Sequence, residues 1–255
     1  MSPRKRIFTV AAISLFTFLL AISFWPTAGG RAASGSDTDA ADYISTPEKD
    51  LIREINLVRA DPLKYAANLE QMKKYYKGKD YKAPGQTVWL TTNEGTSAVD
   101  EAIIFLRAAK PLPPYTLSKG MTLAAKDHVK DLGKTGNTGH RGTDGSTTES
   151  RVNRYGNFSN GIGENIVYQS DTAREIVLGW LVDDGVSTRG HRRNLLSTNY
   201  RHIGVAIGER TGYGSMCVLT FAGAYAESNG APVSNPNTAV QPKGTAQPKS
   251  GARKM

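Results

Sequence analysis

The sequence predicts a mixed α+β fold in which an antiparallel sheet is covered by helices. Four to five segments repeat apolar residues at helical spacing, and at least three segments after residue 160 have the pattern of strands. The chain has 255 residues, which is enough for one sizeable domain with tails, and its sequence contains no internal repeat.

The predicted helices are marked by capping residues at their starts. The clearest start is Ser45-Thr46-Pro47-Glu48, which combines a hydroxyl cap, a proline in the first turn and a glutamate placed for a capping box. The fourth helix is predicted to end at Gly133, and the basic segment 75–89, which contains glycine and proline, is predicted to be a surface loop. The capping residues of the five helices are Ser45, Asp61, Asn93, Ser118 and Thr172.

The predicted strands follow a change in composition near residue 134, where glycines become frequent around His140. Gly161–Tyr168 has a strand pattern with Glu164 near its start. Residues 203–208 alternate in polarity and are predicted to pair with Met216–Tyr225 through a glycine turn. His191 is expected on the connection into the strand at 203–208, where a side chain is free to point into a cleft.

Both ends of the chain lie outside the predicted domain. Residues 1–33 contain Arg4-Lys5-Arg6 and then the uncharged run 7–25, which is typical of an export signal. The run is long for a cleaved signal, so membrane anchoring through residues 7–25 is the alternative. In either case the domain is expected outside the cytoplasm, secreted or surface-anchored. Residues 34–44 are predicted to be a linker and 227–255 a disordered tail.

Charge and cysteine content exclude several classes of protein. The chain has a net charge of +9, but residues 43–226 carry 24 basic and 19 acidic residues and so only +5. The lysine cluster between residues 73 and 82 has no recognition motif or stacking platform beside it, so it is expected to be solvated and no nucleic acid is expected as a partner. The single Cys217 excludes an intrachain disulfide, and its apolar surroundings favour a buried, inert thiol.

Five motifs occur in an order that resembles the CAP superfamily of SCP-like extracellular proteins, which includes cysteine-rich secretory, venom antigen and pathogenesis-related proteins. The resemblance covers about residues 45–226 and is to the bacterial-type members, which commonly lack the disulfide framework. It implies a three-layer α-β-α sandwich with a central, three-stranded antiparallel sheet. The motifs are GHRGTDGS (139–146), GIGENIVY (161–168), GWLVDD (179–184), GHRRNLL (190–196) and CVLTFAGAY (217–225).

The resemblance also implies a cleft lined by two histidines and two acids. By position in the motifs, the histidines are His140 and His191 and the acids are Glu164 and Asp183. The family often has glutamate at the last position, so Asp184 is the alternative second acid. The segment at about 60–117 is expected to be a helical insertion over the cleft or beside it.

Two imidazoles and two carboxylates in one cleft are compatible with three roles. His140 and His191 could hold a labile zinc ion, with Glu164 and Asp183 as acidic partners. The four residues could act as an acid–base set in an extracellular hydrolase, or they could simply hold loops together by hydrogen bonds. The sequence lacks HExxH and GxSxG motifs. It therefore favours a non-enzymatic binding module with no assigned catalytic residue. The family resemblance implies that its ligand is a lipid or sterol, a glycan or a cell-surface protein.

The other polar residues near the proposed site have simpler expected roles. His128 is predicted to be a hydrogen-bonded histidine on the fourth helix. Arg189 and Arg192 are expected to be solvated or paired with Asp183 and Asp184.

Overall fold

The computed structural model describes residues 35–168, 172–212 and 214–228. The segment 1–33 and the tail beyond Ser228 lie outside the described residues. The helices are α1 (Gly35–Ala40), α2 (Thr46–Ala60), α3 (Pro62–Met72), α4 (Thr96–Ala108), α5 (Lys119–Thr135), α6 (Thr148–Val152), α7 (Ala173–Val182) and α8 (Gly190–Leu195). The strands are β1 (Tyr76–Lys77), β2 (Asp80–Tyr81), β3 (Leu90–Thr91), β4 (Thr116–Leu117), β5 (Gly156–Tyr168), β6 (His202–Arg210) and β7 (Gly214–Glu227).

The main sheet has four strands in the order β4-β6-β7-β5. β7 pairs antiparallel with β6, as the sequence predicted, and also with β5, whereas β4 pairs parallel with β6. The expectation of three antiparallel strands is therefore wrong in one respect, because the chain entering α5 adds a short parallel edge. The Thr116 N–H donates to the Arg201 carbonyl at 2.8 Å, and the Ser118 N–H donates to the Ile203 carbonyl at 2.8 Å.

Helices cover both faces of this sheet, so the fold is the predicted three-layer α-β-α sandwich. Alternate residues of each strand point to opposite faces. On one face, Ala206 and Val218 pack with Val129 and Leu132 of α5. On the other face, a larger core joins the sheet to α2, α3, α4 and α7, and it includes Ile203, Val205, Leu219, Phe221, Ile55, Leu69, Leu106 and Trp180.

The capping signals in the sequence are confirmed at most helix starts, but one predicted helix end is wrong. The Ser45 N–H donates to the Glu48 carboxylate at 2.6 Å, which is the capping-box contact. Glu48 is buried and also accepts the Ile207 N–H at 2.9 Å, so the cap ties α2 to β6. α5 continues past Gly133 and ends at Gly136, which has φ +70°. Gly133 has no room for a side chain, because a Cβ there would lie 2.5 Å from the Glu209 carbonyl oxygen.

Three segments predicted to be irregular have regular structure. Segment 75–89 contributes to a three-stranded antiparallel sheet, β1-β2-β3, whose two-residue strands are too short to show a period in sequence. α1 lies within the predicted linker at 34–44, and Ala41 and Ile44 are buried in the main core. Glu227, the first residue of the predicted tail, ends β7 and accepts hydrogen bonds from the Ser118 hydroxyl and the Gly120 N–H.

The predicted insertion at about 60–117 contains α3, the small sheet and α4, and its helices share the main core. Among the described residues, no helix is both long and apolar enough to cross a membrane.

Candidate functional site

His140 lies in the loop between α5 and α6 and is held by Glu164 of β5. The His140 Nδ1 atom is 2.8 Å from Glu164 Oε1. The Glu164 side chain is only 2% exposed, whereas 58% of the His140 side chain is exposed. A buried carboxylate therefore fixes one ring nitrogen and leaves Nε2 on the exposed part of the ring.

Arg151 of α6 lies beneath this pair and was not singled out from the sequence. Its Nη2 atom is 2.7 Å from Glu164 Oε2, and both side chains are 2% exposed. Its Nη1 atom donates to the carbonyls of His140 and Ser146, so the same guanidinium holds the loop that carries His140. Burial alone would raise the pKa of Glu164, but the hydrogen bond from His140 and the charge of Arg151 outweigh burial and lower that pKa.

His128 supports the same loop from α5. Its Nε2 atom is 2.9 Å from the Gly139 carbonyl oxygen, so the ring donates a proton there. Burial and the nearby Arg151 lower the pKa of His128, which favours the neutral ring. The prediction that His128 is a hydrogen-bonded structural histidine is confirmed.

His191 is held in a similar way by Asp183. The His191 Nδ1 atom is 2.6 Å from Asp183 Oδ1, and the His191 backbone N–H donates to Asp183 Oδ2 at 2.9 Å. The Asp183 side chain is 2% exposed and that of His191 is 26% exposed. His191 lies in the first turn of α8, a short helix within the predicted connection into β6 that the sequence did not indicate. A helix of six residues shows too little periodicity to be recognised in sequence.

The structure distinguishes the two aspartates that follow α7. Asp183 contacts His191, whereas Asp184 points to the segment before α4. There it accepts the N–H groups of Asn93 at 2.6 Å and Glu94 at 2.8 Å.

Two asparagines from the motifs connect His191 to the sheet. Asn165 is fully buried and donates from Nδ2 to the His191 carbonyl at 3.1 Å. Asn194 donates from Nδ2 to Asn165 Oδ1 at 2.9 Å. The sequence analysis gave neither asparagine a role, although both lie within the quoted motifs.

Both histidines thus form hydrogen bonds with consecutive residues of one strand. The His140 ring contacts Glu164, and the His191 carbonyl accepts from Asn165. Side chains of consecutive strand residues point to opposite faces, and β5 is an edge of the main sheet. His140 approaches from the side of α5 and α6, and His191 approaches from the side of α7 and α8.

The acids in this arrangement are already engaged as hydrogen-bond acceptors. Glu164 and Asp183 each use one oxygen for a histidine ring and the other for a second partner. Within residues 35–168, 172–212 and 214–228, no group of three or more His, Cys, Asp or Glu side chains is arranged to hold a metal ion.

The arginines near His191 are paired, but with glutamates of the insertion and not with the side chains of Asp183 or Asp184. Arg189 contacts the carboxylates of Glu94 and Glu101, each at 2.6 Å. Arg192 is 1% exposed and contacts Glu101 at 2.9 Å. The expectation of solvated arginines is wrong because the segment from Glu94 to Glu101, at the start of α4, packs directly beside α8.

Cys217 is buried within β7. Burial raises the pKa of its thiol, so the protonated form is favoured. The prediction of a buried thiol is confirmed.

Comparisons with known proteins identify the domain. Residues 101–222 match the model of the cysteine-rich secretory protein family, CAP. An outer surface protein from Borrelia burgdorferi is similar at 19% identity and a TM-score of 0.35, over 42% of this chain and 76% of that one. An extracellular protein containing an SCP domain from Bacillus anthracis str. Ames is similar at 24% identity and a TM-score of 0.36. That match covers 50% of this chain and 39% of the Bacillus protein. No curated protein gave a match. The match includes His140, Glu164, Asp183 and His191, so the resemblance to the CAP family that the motifs predicted is confirmed over residues 101–222.

Proposed function

We propose that this protein is an extracellular, non-enzymatic binding module in which His140 and His191, approaching from opposite sides of the sheet, share a labile zinc ion at its β5 edge. One observation carries the proposal: each histidine has its Nδ1 atom on a carboxylate that is 2% exposed, while the ring itself is more exposed. A histidine that binds a metal usually gives its other ring nitrogen to such a carboxylate, which fixes the tautomer and the direction of the ring.

The number of donors determines how tightly the ion is held. Glu164 and Asp183 already accept other hydrogen bonds, so they act as outer partners and the protein supplies two nitrogen ligands. Tight zinc sites use three or four protein ligands, so a site with two exchanges its ion readily. The bound ion would supply Lewis acidity and positive charge at the cleft, and these attract an oxygen-bearing ligand.

The organic ligand belongs to the classes that the family resemblance implies: a lipid or sterol, a glycan, or a cell-surface protein. The proposed location is outside the cytoplasm, with residues 7–25 serving as a cleaved signal or as an anchor. The match to the CAP family supports this location. So does the pattern of residues 1–33, in which a basic start is followed by an uncharged run.

A hydrolase that uses Glu164 as a general acid has less support. A general acid that works near neutral pH needs a raised pKa. The pKa of Glu164 is lowered, because His140 and Arg151 stabilise the charged form. Glu164 is therefore better suited to fixing a histidine than to donating a proton.

Calorimetric titration with zinc chloride tests the proposal. We expect wild type to bind one exchangeable ion and the His140→Ala/His191→Ala variant to bind none. His202→Ala is the matched control, because His202 lies on β6 away from the site, and it should bind zinc as wild type does. Glu164→Gln and Asp183→Asn should each weaken binding about 10- to 100-fold, as loss of an outer partner does. Equal heats in wild type and the double variant would refute the zinc site.

A further inference from the structure

A short apolar run is exposed on the small sheet β1-β2-β3, well separated along the chain from the histidines. Val88, Trp89 and Leu90 are 75%, 39% and 63% exposed, and residues 84–91 are all exposed. Leu90 lies in β3, which is an edge strand of the small sheet. Three adjacent large apolar side chains at a sheet edge mark an interaction surface and not an ordinary loop.

Lysines surround this apolar run. Residues 73–91 contain five lysines and one acidic residue, Asp80, a net charge of +4 within nineteen residues. The ammonium groups of Lys77 and Lys82 lie 5.2 Å and 4.9 Å from the centroid of the Trp89 ring. The positive charge is therefore located directly beside the exposed tryptophan.

The apolar side chains of the small sheet line a groove beside α7. Tyr76, Tyr81 and Leu90 are aligned in register and so share one face, where Tyr76 also packs against the main core. On that side Val88 and Leu90 line a groove of about 550 Å³ together with residues of α7. Trp89 lines the same groove, and its ring centroid is 5.2 Å from the Lys77 ammonium nitrogen. The tip of the sheet therefore exposes apolar side chains beside its lysines, and the tyrosines attach it to the domain.

We propose that this tip, defined as residues 76–91, docks on a lipid surface that carries anionic headgroups. Tryptophan is the residue that favours the boundary between headgroups and acyl chains, and lysines beside it reach the negative headgroups. The lysine content also argues for this partner, because lysine is depleted in protein–protein interfaces. The site is distinct from the proposed zinc site and does not depend on it.

Co-sedimentation of the full chain with vesicles tests this docking. The vesicles contain phosphatidylglycerol and phosphatidylcholine in equal parts, or phosphatidylcholine alone, and the readout is the ratio of the two partition coefficients. Residues 7–25 are present in every variant, so their contribution is common to all. We expect the ratio to fall about fivefold for each lysine neutralised in Lys77→Gln, Lys79→Gln and Lys82→Gln.

Two further sets of variants isolate the apolar contribution. Val88→Ser/Trp89→Ser/Leu90→Ser should lower binding to the anionic vesicles. The matched control is Leu57→Ser/Leu63→Ser/Ile104→Ser, which removes side chains that are 57%, 62% and 68% exposed elsewhere on the domain and should leave binding unchanged. Brominated acyl chains should quench the fluorescence of wild type more than that of Trp89→Phe, because the difference reports on Trp89 alone.

Several outcomes would overturn the proposal. One is equal partitioning of wild type, the lysine variant and the serine variant, with no quenching that depends on Trp89. Another is self-association through this surface. The serine variant would then lose a dimer that wild type forms, without any change in vesicle binding. Apart from Lys82, which is half-buried, the altered side chains are exposed, so melting temperatures and zinc titrations should match wild type. A failure of the zinc site would leave this test unaffected.

Discussion

The buried pair of Arg151 and Glu164 gives the sharpest test of how the His140 loop is held. Replacing Arg151 with methionine keeps most of the side-chain volume but leaves the Glu164 carboxylate without its cation. Both side chains are 2% exposed, so water cannot replace the lost partner. Removing one member of a buried ion pair costs about 3–5 kcal/mol, and we expect Arg151→Met to lose that much unfolding free energy near neutral pH.

The loss should depend on pH in a direction that the pKa of Glu164 determines. In wild type the pKa of Glu164 is lowered, so its contribution to stability is present above the unfolded pKa and is lost as pH falls through the folded pKa. In Arg151→Met, burial dominates and raises the folded pKa above the unfolded value. The variant is then penalised most at high pH and recovers as pH falls through that raised value.

Urea unfolding followed by circular dichroism measures these quantities at about pH 7 and about pH 5. The double variant Arg151→Met/Glu164→Gln should be more stable than Arg151→Met near pH 7, because it contains no unpaired charge. Arg154→Met is the matched control in the turn that follows α6. Its side chain is 32% exposed and pairs with Asp127 and Asp144, so its loss should be below about 1 kcal/mol.

Two results would refute this reasoning. Arg151→Met could lose no more stability than Arg154→Met, or its loss could be the same at both pH values. Either result would mean that Glu164 is solvated or partnered by another group in the folded protein.

Two further predictions concern the packing around the site. Hydrogen bonds from Arg189 lower the pKa of Glu94 to about 2, so its contribution to stability is lost as pH falls from about 4.5 to about 2. Because the Glu94 side chain is 32% exposed, Glu94→Gln should cost only about 1 kcal/mol of unfolding free energy near neutral pH. A difference in melting temperature between variant and wild type that stays constant down to about pH 2 would contradict this. Gly204→Ala should lower the unfolding free energy by about 1–3 kcal/mol or more, since its Cβ would lie 2.2 Å from the Met121 carbonyl carbon. The Cβ of Gly179→Ala in α7 meets nothing within 4 Å, so this variant should gain about 0.5–1 kcal/mol. Equal melting temperatures for the two alanine variants would count against the packing described here.

The sequence was sufficient for the parts of the fold that depend on local signals. Caps such as Asp61 and Ser118 satisfy the first backbone groups of their helices, so helix starts could be located from a few residues. β6 and β7 could be paired because alternation and a glycine turn lie next to each other in the chain. The short strands β1 to β4 could not be found, because each has only two residues, which is too few to show a period in sequence.

The candidate site divides in the same way. His140, Glu164 and His191 lie within motifs that mark them directly, and the structure places each histidine ring on a carboxylate. Arg151 carries no such mark, because a single arginine in a helix of five residues usually faces solvent. Its burial follows from the packing of α6 against the edge strand β5, which is a contact that no local pattern encodes.

Asp183 shows how a shorter acid can contact a histidine as a longer one would. A glutamate at this position would reach further by one methylene, so an aspartate requires the backbone to come closer. Asp183 adopts the left-handed conformation, with φ 55°, directly after the last turn of α7. Arg189 is also left-handed and donates to the Asp183 carbonyl at 2.8 Å, which closes the loop from Asp183 to His191.

Arg192 completes this closure from inside the protein. It is 1% exposed and donates to the carbonyls of Leu181 and Val182, which are left without partners at the end of α7. The same guanidinium contacts Glu101 of α4, so a residue of the predicted insertion holds α8 against α7. The paired arginines therefore bring the backbone near enough for the short side chain of Asp183 to hold the ring of His191.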